Sequence, residues 1–82
     1  MPVGVIDAKP LKKIELLITF DTGEQRVYDV NPLINTLPLF AKLRDINIFN
    51  QVYVDKIMDT VAWDENTDIC PDSLYNDSVS LS

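Results

Sequence analysis

The sequence predicts an α+β protein with a mainly antiparallel sheet of about four to five strands and short helices packed on one face. Three observations predict this class: an alternating apolar segment, a strand-like segment that follows it after a tight turn, and several short helical segments. The strand connections have hairpin length rather than crossover length. With 82 residues and 46% apolar side chains, the chain can bury one core, so we expect residues 1–82 to form a single domain.

The clearest predicted element is a β-hairpin. Every second position from Ile14 to Phe20 is apolar, as in a strand with one buried face. Residues 21–24 supply turn residues, including a glycine that can adopt positive φ, and residues 25–30 form the returning strand. Residues 3–11 also have strand character, and Pro10 is tolerated there at a strand end or a sheet edge.

Short helices are predicted after the hairpin. Asn31 is expected to cap the first, with Pro32 at its first helical position. Pro38 interrupts this segment, and Asp45 is expected to cap another short helix that reaches Phe49. The segments therefore predict a broken helical layer rather than one long helix.

The C-terminal third begins with a second predicted strand pair, over residues 52–57 and 59–63. Pro71 opens a last short helix that extends through Tyr75. Residues 78–82 are predicted to form a frayed tail.

The charges are unevenly distributed along the chain. Residues 1–54 contain six acidic and six basic side chains, whereas residues 55–82 contain seven acidic side chains and one lysine, which together give the net charge of −6. Reading nucleic acid requires clustered Lys and Arg, so we expect no direct nucleic-acid binding. An acidic half can steer a basic protein partner, although a purely solvating surface is the simpler interpretation.

The residue types argue against an enzyme. The chain has no histidine, the commonest general base and metal ligand. Its one cysteine, Cys70, allows neither an internal disulfide nor a cysteine-based zinc site. A chain this short rarely forms a deep cleft. We therefore expect no catalytic residues and no cofactor.

A partial calcium-loop pattern occurs at residues 64–68. Its first half matches the spacing of carboxylate and amide ligands. However, Ile69 stands where the loop requires glycine, and Tyr75 stands where it requires a bidentate glutamate. We therefore predict no calcium loop there, and weak cation binding stays an alternative.

The sequence also indicates where the protein resides. The first residues, MPVGVIDAKPLKK, lack the apolar core of a signal peptide. No apolar run approaches the roughly 18 residues needed for a transmembrane helix. We expect a cytoplasmic protein that does not cross the membrane.

Two aromatic residues and three aspartates are the candidate partner-binding residues: Trp63, Asp64, Asp68, Asp72 and Tyr75. Trp and Tyr are enriched at the energetic centres of protein interfaces. The simpler interpretation of Trp63 is that it covers the core at a strand end. The Tyr75 hydroxyl is expected near Asp72 or the backbone.

Several motifs resemble one bacterial family, called domain of unknown function 2442. They are FDTGE at 20–24, YDV at 28–30, FNQV at 49–52, Trp63 and the closing DICPDSLY at 68–75. The resemblance extends from about residue 5 to residue 78. Where the family has glycine after the tryptophan, this chain has Asn66, the best non-glycine substitute for a left-handed turn.

The resemblance implies an α+β fold and no established enzyme activity. Members are often encoded beside a second small protein, and such pairs are proposed to be toxin–antitoxin modules in which this domain is the antitoxin. Some relatives carry a helix-turn-helix domain after this one, and we do not expect this chain to read DNA in that way.

Three functions follow as hypotheses. The first is a non-enzymatic protein-binding module, the antitoxin-like member of a bacterial two-gene pair, whose acidic C-terminal half binds a basic partner. The alternatives are a small-ligand or cation sensor that uses the 64–68 loop, and a structural accessory subunit. A homodimer is a further alternative.

Overall fold

The computed structural model describes residues 4–81 and confirms the mixed α+β class. The strands are β1 (Val5–Leu11), β2 (Glu15–Phe20), β3 (Gln25–Asp29), β4 (Tyr53–Asp55), β5 (Thr60–Asp64), β6 (Thr67–Asp68) and β7 (Val79–Ser80). The helices are α1 (Asn31–Thr36), a 3₁₀ helix (Pro38–Arg44), α2 (Ile46–Phe49) and α3 (Pro71–Asn76). The strands form two antiparallel sheets, in the orders β1-β2-β3-β7 and β4-β5-β6, rather than one.

The predicted hairpin is strands β2 and β3 of the larger sheet. Its alternate apolar side chains from Leu16 to Phe20 are buried, and Gly23 in the turn has a φ of 90°. Pro10 lies on β1, an edge strand, as expected. The described residues do not include Val3, where the first strand was predicted to start.

Ile14 does not begin the strand as predicted. It lies in the turn between β1 and β2 with a φ of 59°, directly after Lys13 with a φ of 64°. This left-handed conformation is unfavourable for both residues, and most of all for a β-branched one. The Asn31 side chain donates to Lys13 O at 2.9 Å and Val30 N donates to Ile14 O at 3.1 Å. These two hydrogen bonds hold the turn.

The short helices begin and end where the sequence predicts, except at the start of the first helix. Asp45 caps α2, because its carboxylate accepts the N–H of Asn47 at 2.9 Å. Pro38 begins a new 3₁₀ helix after α1 ends. The prediction that Asn31 caps α1 is wrong: Val30 occupies the cap position, and the Asn31 amide instead binds the β1–β2 turn.

The second predicted strand pair is confirmed as β4 and β5, and β6 adds a third strand. The first strand of the pair is shorter than predicted, because β4 ends at Asp55 and Ile57 lies in the turn. The C-terminal segment differs from the predicted frayed tail. Val79 and Ser80 form β7, which pairs with β3 through Val27 and Arg26. The buried Ser78 leads into this strand, while residue 82 lies outside the described residues.

One hydrophobic core joins both sheets and the helices. Its fully buried large apolar side chains are Leu16, Ile18, Phe20, Val30, Leu43, Phe49, Val61 and Leu74. Burial of this apolar area is the main stabilising contribution to the fold. Among residues 4–81, no helix is long and apolar enough to cross a membrane.

Candidate functional site

Trp63 is a core residue in this structure. Its side chain is only 7% exposed, and its indole N–H donates to Phe49 O at 2.9 Å. The ring stacks on Phe49 with centroids 6.1 Å apart and meets Phe40 edge-on at 6.3 Å. This position matches the simpler interpretation, in which Trp63 covers the core. Little of the indole is therefore accessible to a partner that docks on the surface.

Asp64 is exposed but already has a cationic neighbour. Its Oδ2 forms an ion pair with Lys42 Nζ of the 3₁₀ helix, and its Oδ1 accepts the N–H of Asn66 at 2.9 Å. The bond from Lys42, followed by the bond from Asn66, holds the pKa of Asp64 at about 2. Asp64 therefore contributes less unbalanced negative charge than the other aspartates.

The turn after Asp64 is formed without a left-handed residue at position 66. Among residues 4–81, positive φ occurs only at Lys13, Ile14, Gly23 and Asp59. Asn66 therefore does not adopt the left-handed conformation of the glycine that it replaces, although the turn itself is present at residues 65–66. The Asp64 carboxylate, which accepts from Asn66 N, stabilises the turn by an Asx-type hydrogen bond instead.

The segment from residue 65 to residue 77 carries the two other acidic candidates, Asp68 and Asp72. It presents four exposed acidic side chains: Glu65, Asp68, Asp72 and Asp77. The only ion pairs among residues 4–81 are Arg26–Glu24 and Lys42–Asp64, so none of these four is paired with a cation in the described part of the chain. Their charge is available to a partner.

Tyr75 contacts the β2–β3 hairpin rather than Asp72. Its hydroxyl donates to Glu24 Oε1 at 2.6 Å, and its ring lies 5.2 Å from that of Phe20. The Arg26 guanidinium sits 4.6 Å from the centroid of the Tyr75 ring, within the range of a cation–π interaction. Tyr75 thus ties α3 to the larger sheet.

Arg26 is the centre of a cluster that sequence reasoning missed. Its Nε donates to Ser78 Oγ at 2.7 Å, and its Nη2 donates to Ser78 O at 2.7 Å. Its Nη1 forms an ion pair with Glu24 Oε2 at 2.8 Å. The Tyr75 hydroxyl lowers the pKa of Glu24, with a further contribution from Arg26, and the same bond to Glu24 raises the pKa of Tyr75. The charged groups of this cluster are bound to one another, and the cluster joins β3 to the segment around Ser78.

Acidic clusters and surface depressions are the places where a metal ion or a small ligand could bind. Within residues 4–81, no three acidic or cysteine side chains converge to hold a metal. An open depression of about 310 Å³ is lined by Gly23, Glu24, Gln25 and Leu81. Its one carboxylate, that of Glu24, is already bound by Arg26 and Tyr75.

The fold and its surface define a small α+β domain with a self-contained core and an exposed acidic segment. A family model described as protein of unknown function (DUF2442) matches residues 5–80. The match covers nearly the whole chain, so the chain belongs to this family, as the motifs indicated. No curated protein and no solved structure gives a significant match.

Proposed function

We propose that this chain is a non-enzymatic protein-binding module that contacts a basic protein through its acidic segment, residues 65–77. The observation that carries the proposal is the set of four exposed carboxylates in that segment without a cationic neighbour in the described residues. Unbalanced surface charge of one sign steers an oppositely charged partner and sets its orientation.

The charge of the chain and its family resemblance also bear on the kind of partner. We propose an antitoxin-like role in a bacterial two-gene pair, in the cytoplasm, with a small basic protein as the partner. Its support is the confinement of the net charge to residues 55–82, together with the role that the family resemblance implies. The absence of histidine from the sequence supports a role in binding rather than in catalysis.

The test begins with tagged chain incubated in lysate of its host at low and high salt. The captured protein is then purified, and its affinity is measured by calorimetry. We expect one basic partner whose affinity falls as salt rises, because exposed charges are screened. Asp68→Lys should weaken binding at least about tenfold.

Glu15→Lys is the matched control, because it changes the net charge by the same amount outside the acidic segment. Glu15 lies opposite Asp29 in the β2–β3 register, so a lysine there is compatible with the fold. Equal effects of the two variants, affinity that does not depend on salt, or capture of no partner would contradict the proposal.

A further inference from the structure

The turn between β4 and β5 presents two adjacent apolar side chains to solvent. Ile57 is 92% exposed and Met58 is 57% exposed. Turn tips are normally occupied by Gly, Pro, Asn, Asp or Ser, each of which has a conformational reason to be there. A single exposed apolar side chain is ordinary, but a consecutive pair in one turn requires an explanation.

This tip, residues 55–59, is held in one conformation from both sides. Asp55 Oδ1 accepts the N–H groups of Ile57 at 3.0 Å and of Met58 at 3.1 Å. Asp59 has a φ of 57°, and its carbonyl accepts the N–H of Val5 at 3.3 Å. A surface that is already ordered loses less conformational entropy when it binds. The tip is therefore suited to insertion into a partner.

Carboxylates border the tip. Asp55 and Asp59 are the first and last residues of the tip, and its single base is Lys56. Asp21 accepts the N–H of Gly4 at 3.1 Å, and a Cβ built on Gly4 would lie 3.3 Å from both Asp21 Oδ2 and Asp59 Cγ. Two copies that met tip to tip would bring these like charges together, which is unfavourable. The charge favours a different protein with basic residues around an apolar surface.

We propose that Ile57 and Met58 are the apolar anchor of this protein, and that they dock on an apolar surface bordered by Lys or Arg on the partner. The inference rests on the proposed function, since it assumes the same basic class of partner. It assigns to the tip the role that the buried Trp63 does not fill. Interfaces of this kind combine a desolvated apolar centre with a charged rim.

The test is a nuclear magnetic resonance titration of the isotope-labelled full chain with a synthetic amphipathic helical peptide composed of Leu and Lys. We expect the largest amide shifts at residues 55–59, accompanied by smaller shifts in the acidic segment, residues 65–77. Ile57→Ser should weaken binding at least about tenfold; the side chain is almost fully exposed, so the fold is retained. Leu39→Ser is the control, because Leu39 is 50% exposed in the 3₁₀ helix and should leave the affinity unchanged.

A Leu–Glu peptide of the same pattern should not bind. Shifts confined to residues 65–77 would overturn this inference and leave the proposed function standing. Shifts confined to residues 55–59 would leave this inference standing and overturn the proposed contact through the acidic segment. Shifts centred on the helical layer, no shifts at millimolar peptide, or equal binding of the Leu–Glu peptide would overturn the inference. A dimer in sedimentation that Ile57→Ser abolishes would identify a second copy as the occupant and would also overturn it.

Discussion

Replacing Arg26 by methionine tests whether the Arg26 cluster stabilises the fold. The substitution removes two hydrogen bonds from a charged donor to Ser78, each 2.7 Å long, and the contact with the Tyr75 ring. Hydrogen bonds with a charged partner contribute about 1.5–3 kcal/mol each, and bonds made by one side chain are not additive. We therefore expect the free energy of unfolding to fall by about 2–4 kcal/mol.

Equilibrium urea denaturation monitored by fluorescence is the appropriate assay, because the chain has one tryptophan and it is buried. For a domain of this size, the expected loss corresponds to a decrease in Tm of roughly 10–30 °C. If Arg26→Met does not fold, Arg26→Lys keeps the charge but cannot form the forked contact. We expect it to lose part of the same free energy.

Arg44→Met is the matched control for this prediction. Arg44 is exposed and, within residues 4–81, its side chain donates only to Asn35 Oδ1, at 3.2 Å. Its replacement should therefore change the free energy of unfolding by no more than about 0.5 kcal/mol. Equal effects of the Arg26 and Arg44 substitutions would refute the reasoning. Hydrogen exchange adds a local readout, since the N–H of Leu81, bonded to Gln25 O, should exchange faster in Arg26→Met.

Three further predictions concern single residues. Lys13→Gly should raise the free energy of unfolding by up to about 1 kcal/mol, because glycine adopts positive φ without strain. A lower Tm of the variant in thermal denaturation would contradict this. Trp63→Phe should lower the free energy of unfolding by about 1–3 kcal/mol, because Phe49 O loses the indole donor at 2.9 Å and keeps only the N–H of Val52 at 3.3 Å. An unchanged midpoint of urea denaturation, monitored by circular dichroism, would count against it. The pKa of Asp64 is depressed to about 2, so its contribution to stability is present above its unfolded pKa, near 4, and is lost as pH falls through about 2. Carboxyl titration of Lys42→Met should show that pKa return toward 3.8, and no change would exclude Lys42 as the cause.

Local signals allowed much of the fold to be predicted from sequence. Alternation identified β2, the turn containing Gly23 identified the hairpin, and Asp45 and Pro71 marked helix starts. Each of these features depends on residues that are close together in the chain. Asn31 is the exception: it is the first residue of α1, Val30 occupies the cap position, and the Asn31 amide nitrogen donates to the distant Lys13 carbonyl.

What sequence reasoning missed depends on contacts between distant residues. The division into two sheets and the pairing of β7 with β3 are set by tertiary packing, which alternation alone does not encode. The sequence placed Trp63 on a strand, but it did not decide whether the side chain lies in the core or at an interface, because tryptophan is common in both. Ile57 was predicted at the end of a strand, whereas β4 ends at Asp55 and both Ile57 and Met58 lie in the exposed turn that follows.

The pairing of Arg26 with Ser78 also has a consequence for how the protein is made. The two residues are 52 positions apart, and ribosomes add about 5–20 residues per second. For roughly 3–10 s, therefore, a growing chain has β3 without β7 beside it. An unpaired strand edge is a template for association with other chains. Crowded polysomes should accordingly be where this domain is most prone to aggregate, and slowing translation after residue 30 should lower its soluble yield.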